Sequence, residues 1–91
     1  MRELYAEARD GKRYSADSDD PGYKNYMEAR NLGCVVWVYV DGVKLDKCVT
    51  ADEQEGLAVT YPDPMRVEDG ELVRITMRGQ VRTSLVPVAN A

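Results

Sequence analysis

The sequence predicts an α+β fold that is mainly β: an antiparallel sheet of about five strands built from hairpins, with one short helix near residues 21–31. Three features carry that expectation. Asp41-Gly42 sits between two runs rich in β-branched and aromatic residues, Asp69-Gly70 opens an alternating run, and helical spacing is clear in a single stretch. An Asp-Gly pair between such runs is a strong hairpin signal, because a type I′ turn needs positive φ at both central residues.

Residues 3–9 fit either a helix or a strand, and the turn residues Asp10-Gly11 before Arg13-Tyr14 favour a strand and hairpin. The helix comes next. Asp20 suits its cap, Pro21 its first position and Gly33 its end. Asp17, Asp19 and Asp20 lie at the positive end of its dipole and Arg30 near the negative end. Tyr23, Tyr26, Met27 and Arg30 recur at i, i+3, i+4 and i+7, which lays them on one stripe.

The central hairpin follows. Pairing across Asp41-Gly42 sets Val40 against Val43, Val38 against Leu45, Val36 against Lys47 and Cys34 against Val49. That register turns Cys34 and Cys48 to opposite faces. The strand of residues 35–40 is apolar on both faces, so it belongs at the centre of a sheet. Thr50 to Gly56 reads as a polar turn, with Thr50 and Glu53 spaced as a capping box. Leu57 to Tyr61 alternates as a strand that Pro62-Asp63-Pro64 ends. Glu71 to Arg78 reads as one strand, with Val73, Ile75 and Met77 on one face and Arg74, Thr76 and Arg78 on the other. After Gly79, residues 80–86 form a last strand and residues 87–91 a frayed tail. The whole is one domain of 91 residues: a polar segment over 1–33, then a β-hairpin core over 34–86.

Composition narrows function mainly by exclusion. There is no histidine, hence no Ser-His or Cys-His nucleophile and no imidazole zinc site. Two cysteines fourteen residues apart do not make a tetrahedral metal site, and no phosphate-binding glycine loop occurs. The expectation is a chain that is not an enzyme, with no cofactor and no small-molecule substrate. The longest apolar run has seven residues, against about 20 for a membrane helix, and charge stands at Arg2 and Glu3 where a signal peptide would be apolar. A cytoplasmic chain with reduced cysteines is therefore expected.

The net charge of −4 is unevenly spread. Residues 34–71 hold three basic and nine acidic side chains, whereas residues 72–91 hold Arg74, Arg78 and Arg82 and no acid. That balance argues against general nucleic-acid binding, which rests on phosphate neutralisation. It leaves three candidate sites. Asp17, Asp19, Asn25 and Glu28 fall at positions 1, 3, 9 and 12 of an EF-hand-like calcium loop, but Pro21 offers no side-chain ligand at position 5, Lys24 stands where an apolar residue is expected, and helix capping is the simpler role. Arg74 and Arg78, with Arg82 joining across a hairpin, can contact phosphates or an acidic partner, or stand as a solvated face that discourages aggregation. Asp52, Glu53 and Glu55 can meet a basic partner or be a solvated turn. Trp37 and Tyr39 are expected to serve as core beneath Tyr23, Tyr26 and Met27.

The stretch from Trp37 to Val43, Cys48 to Gly56, Asp69 to Val73 and Gly79 to Arg82 resembles small uncharacterised proteins of tailed bacteriophages and prophages. The likeness covers roughly residues 35–86 and consists of turns and strands. It implies an accessory protein made in the bacterial host cytoplasm that acts by protein binding, either by self-association as a virion or assembly component or by modulating a host protein partner. It brings no catalytic residues.

Overall fold

The computed structural model describes residues 12–90, so the strand expected over 3–9 and the turn at Asp10-Gly11 lie outside the described residues. The fold is mainly β with one short helix, as the sequence predicts. Its strands are β1 (Arg13–Ser15), β2 (Cys34–Val40), β3 (Val43–Leu45), β4 (Cys48–Asp52), β5 (Leu57–Thr60), β6 (Val67–Glu68), β7 (Glu71–Leu72), β8 (Ile75–Arg78) and β9 (Val81–Pro87). The helix α1 spans Tyr23–Asn31, and a 3-10 turn spans Val88–Asn90. The strands divide among three antiparallel sheets, ordered β1-β4-β5-β8, β3-β2-β9 and β6-β7.

The central hairpin begins in the expected register, with Val40 opposite Val43 and Val38 opposite Leu45. Asp41 and Gly42 have φ of 51° and 85°, as a type I′ turn requires. Beyond Leu45 the expected pairing fails. Lys47 adopts a left-handed φ of 58°, and the chain leaves β2 to enter the other sheet as β4. The hydroxyl of Thr60 stabilises this bend by donating to the carbonyls of Asp46 at 2.9 Å and Lys47 at 3.2 Å. Cys34 and Cys48 therefore sit in different sheets, both as free thiols.

The expected strand of residues 71–78 is also divided. Val73 donates its N–H to Arg66, closing the β6–β7 hairpin, and β8 begins only at Ile75. The chain then crosses sheets at Gly79-Gln80, so β8 pairs with β5 and β9 pairs with β2. Residues 87–90, expected as a frayed tail, finish β9 and form the 3-10 turn, with the Val88 N–H bonded to Gly33 O at 2.8 Å.

The expected helix start needs correction. Gly22 is the N-cap position and carries no side-chain cap, so Asp20 and Pro21 precede the helix. Asp20 shapes the approach instead: its carboxylate accepts the Gly22 N–H at 2.7 Å, and its carbonyl accepts the Tyr23 N–H at 3.0 Å. A side chain at Gly22 would lie 2.9–3.0 Å from Arg13, so glycine is what lets the helix start against β1. Gly33 does follow the helix, with its N–H on Arg30 O at 2.9 Å.

The core lies between the two larger sheets. Val38, Val40 and Val81 of one meet Ala51 and Ala58 of the other, with Val36, Leu45 and Cys48 around them. Ala29 is the buried residue of α1, which packs on β1 and β2. Polar ties hold the margin. Ser15 and Thr50 are buried cross-strand partners whose hydroxyls bond at 2.7 Å. Arg13 grips Asp20 through two bonds of 2.8 Å and reaches Asp52 at 3.1 Å.

Arg13→Met should destabilise the fold by about 2–3 kcal/mol in urea titration, because it strands two largely buried carboxylates. The hydrogen bonds from Arg13 hold the Asp20 carboxyl below its ordinary range, although burial acts the other way. Since the folded value is the lower one, this stability is present above about pH 4 and is lost as pH falls through the folded value. The wild type should thus lose more stability than Arg13→Met between pH 5 and pH 2, and equal losses would contradict the tie.

Candidate functional site

The first two candidate sites consume each other. Asp17, the first ligand of the calcium reading, accepts two bonds from Arg74, at 2.8 and 3.0 Å. Arg74 also lies 5.6 Å from the ring centroid of Tyr61 and bonds its hydroxyl at 3.4 Å. Bonding to Arg74 holds the Asp17 carboxyl below its ordinary range, while bonds to Asp17 and Tyr61 raise the Arg74 guanidinium. Asn25 donates its amide to Arg13 O at 3.0 Å, and Asp19 and Glu28 are exposed. Among the described residues, no group of three or more Cys, Asp or Glu side chains is placed to hold a metal ion.

The arginines do not form one stripe. Arg74 precedes β8, Arg78 is exposed on β8, and Arg82 lies on β9 in the other sheet, bonding the Val81 carbonyl at 3.1 Å. The acidic turn is likewise mostly internal. Asp52 is only 7% exposed, holding Arg13 with one oxygen and the Glu55 N–H with the other at 2.8 Å. Asp52, rather than Thr50, therefore organises this turn. Glu53 reaches β9, where Oε2 accepts the N–H and hydroxyl of Thr83 at 2.7 and 3.0 Å. Its Oε1 is buried without a partner among the described residues. Glu55 alone of the three acids is exposed.

The Glu53 bond has a topological role. Strand alternation turns the backbone of Thr83 away from β2, towards the open edge of β9. The carboxylate occupies that edge, and Pro87, two steps of the same alternation further on, has no N–H to offer. Trp37 and Tyr39 are half-buried, and Lys44 sits 4.8 Å over the Trp37 ring.

Among the described residues, two surfaces remain unused by the fold. The first is the β6–β7 hairpin, turned by Asp69 and Gly70 at φ of 52° and 79°. Val67 lies opposite Leu72, and Glu68 opposite Glu71. By alternation the apolar pair occupies one face and the acidic pair the other. Val67 is 64% exposed and Leu72 46%. The second surface is a groove of about 480 Å3 between α1 and β2, lined by Tyr26, Arg30, Cys34, Val35, Val36 and Val88. A shallower groove of about 690 Å3 beside the hairpin includes Arg74, already bound to Asp17. Sequence reading passed over Val67 and Leu72 because it joined residues 71–78 into one strand. The signal was present in the short Val-Glu-Asp-Gly-Glu-Leu palindrome of residue types.

No protein-family model, curated protein or solved structure matches the chain. No described helix is long and apolar enough to cross a membrane.

Glu53→Ala should cost about 1–2 kcal/mol in folding free energy, whereas Glu55→Ser should stay within about 0.5 kcal/mol. Equal effects would mean that Glu53 is a solvated acid. Burial pushes the Cys48 thiol up to about 11, so at pH 8 an alkylating reagent should modify Cys34 well before Cys48, and denaturant should remove the difference.

Proposed function

We propose that this chain is a non-catalytic accessory protein of a phage or prophage that works by protein binding, with the β6–β7 hairpin as its contact element. The phage assignment rests on the turn-and-strand resemblance over residues 35–86, and the site of action would be the bacterial cytoplasm or the virion. The binding role rests on one observation: the hairpin carries features that its own fold does not use.

A hairpin with two residues per strand is at best marginal alone in water. Directly opposed Glu68 and Glu71 weaken it further, since like charges across a strand pair repel. Val67 and Leu72 meanwhile leave apolar surface in water on the other face. A partner that covers that pair and neutralises the acids removes both penalties. Covering the two half-exposed side chains is worth about 2–3 kcal/mol.

A photo-crosslinking residue in place of Val67 should trap a protein of defined mass in host cells, and one in place of Glu55 should not. In the chain that carries the probe at position 67, Leu72→Thr should abolish the trapping, and Val67→Thr with Leu72→Thr in the unprobed chain should change folding stability by less than about 0.5 kcal/mol. No trapped protein, or a fold lost with the apolar pair, would assign Val67 and Leu72 to the fold alone.

A further inference from the structure

We propose that the β6–β7 hairpin of one copy seats in the α1–β2 groove of a second copy, so that the protein assembles head to tail; this rests on the reading of the hairpin as a contact element. The two surfaces are complementary in both polarity and charge, and neither is satisfied by the described residues of its own chain.

The apolar match comes first. Val35, Val36, Val88 and the Tyr26 ring line the groove, and Val88 remains 59% exposed. Leu32, two residues before Cys34, is 73% exposed and extends the uncovered apolar surface. The Val67–Leu72 face of the hairpin is narrow enough to enter such a groove edge-on, because it presents one cross-strand pair.

Charge then fixes the direction of insertion. Arg30 is the one charged residue among those lining the groove. Its guanidinium lies 5.9 Å from the Tyr26 ring centroid and bonds the Tyr26 hydroxyl at 3.3 Å, with no carboxylate ion pair among the described residues. The hairpin tip shows the opposite imbalance: Glu68, Asp69 and Glu71 fall within four residues and make no ion pair among the described residues. Arg74, which lines a surface with Glu71, is already occupied by Asp17. A cation resting on an aromatic ring at the groove rim thus faces an acidic tip that has none.

The contact joins two different surfaces and is therefore heterologous. Repetition closes a ring where the rotation allows, and otherwise extends an open chain. A single hairpin inserts little area, so each contact is weak and assembly depends on concentration.

Cys34 provides a direct trap, because it lines the groove. In the full-length chain, Val67→Cys should form an intermolecular disulfide with Cys34 under mild oxidation, giving a ladder of dimers and higher species. Mass spectrometry of the digest should show the 67–34 linkage, and Cys34→Ser should remove the ladder. Glu68→Lys with Glu71→Lys should reduce its yield by about fivefold or more, and adding Arg30→Glu to that chain should restore it, since exposed charge pairs of this kind are worth up to about 1 kcal/mol. Glu68→Lys with Glu71→Lys, both at exposed positions, should leave the melting temperature unchanged, which separates loss of contact from loss of fold. A monomer throughout, a 67–67 linkage alone, an intrachain 67–34 linkage or no rescue by Arg30→Glu would each overturn head-to-tail assembly. If photo-crosslinking at position 67 still captures a different protein, the contact-element reading survives and this one falls. If it captures nothing, both fall.

Discussion

The close approach of two sheets through alanine is the constraint on which the structure depends. Ala51 and Ala58 are cross-strand partners, almost fully buried, and they face Val38, Val40 and Val81 of the other sheet. Side chains without rotamers fill such a space at little entropic cost, but they also bury little area. The cluster is sealed by few residues, and larger apolar side chains have no room in it. Met65, Val67, Leu72, Ile75 and Val88 consequently remain at the surface. The thin core and the exposed hairpin share one cause.

Charged and polar ties compensate for the modest core at its edges. Arg13 joins β1, the helix approach and the β4–β5 turn through Asp20 and Asp52. Arg74 fastens the segment before β8 to the loop that holds Asp17. Glu53 spans from the β4–β5 turn to Thr83 on β9, and Asp41 does the same locally by accepting the Gln80 N–H. The Arg13 and Arg74 ties brace the β1-β4-β5-β8 sheet at its ends, and Glu53 joins that sheet to β9 of the other. Little of that charge is left over for a ligand.

Local chemistry made some elements legible and left others hidden. Asp41-Gly42 dictated the β2–β3 turn and its first three pairs because positive φ at both positions leaves few alternatives. The Tyr23–Arg30 stripe and Gly33 placed the helix body and its end, while its start was misread because Asp20 caps a turn that resembles a helix cap in sequence. Sheet membership was not legible. Val43 to Val49 alternates as one strand, yet the Thr60 hydroxyl, thirteen residues away, holds the bend at Lys47 that separates it. The site candidates failed to converge for the same reason: Asp17 with Arg74, and Glu53 with Thr83, are pairings between residues 57 and 30 positions apart, which spacing within a motif does not reveal.

The hairpin follows from this construction: among the described residues it is the one strand pair that belongs to neither main sheet. Its apolar and acidic faces, and the groove that carries Arg30, are the surfaces the core and the ties leave over. Amide hydrogen exchange across a protein concentration series tests that relation most directly. Protection should rise with concentration in residues 67–72 and in residues 26–36, while β4 and β5 stay unchanged. A protection pattern that does not vary with concentration, with the hairpin amides already slow in dilute monomer, would contradict it.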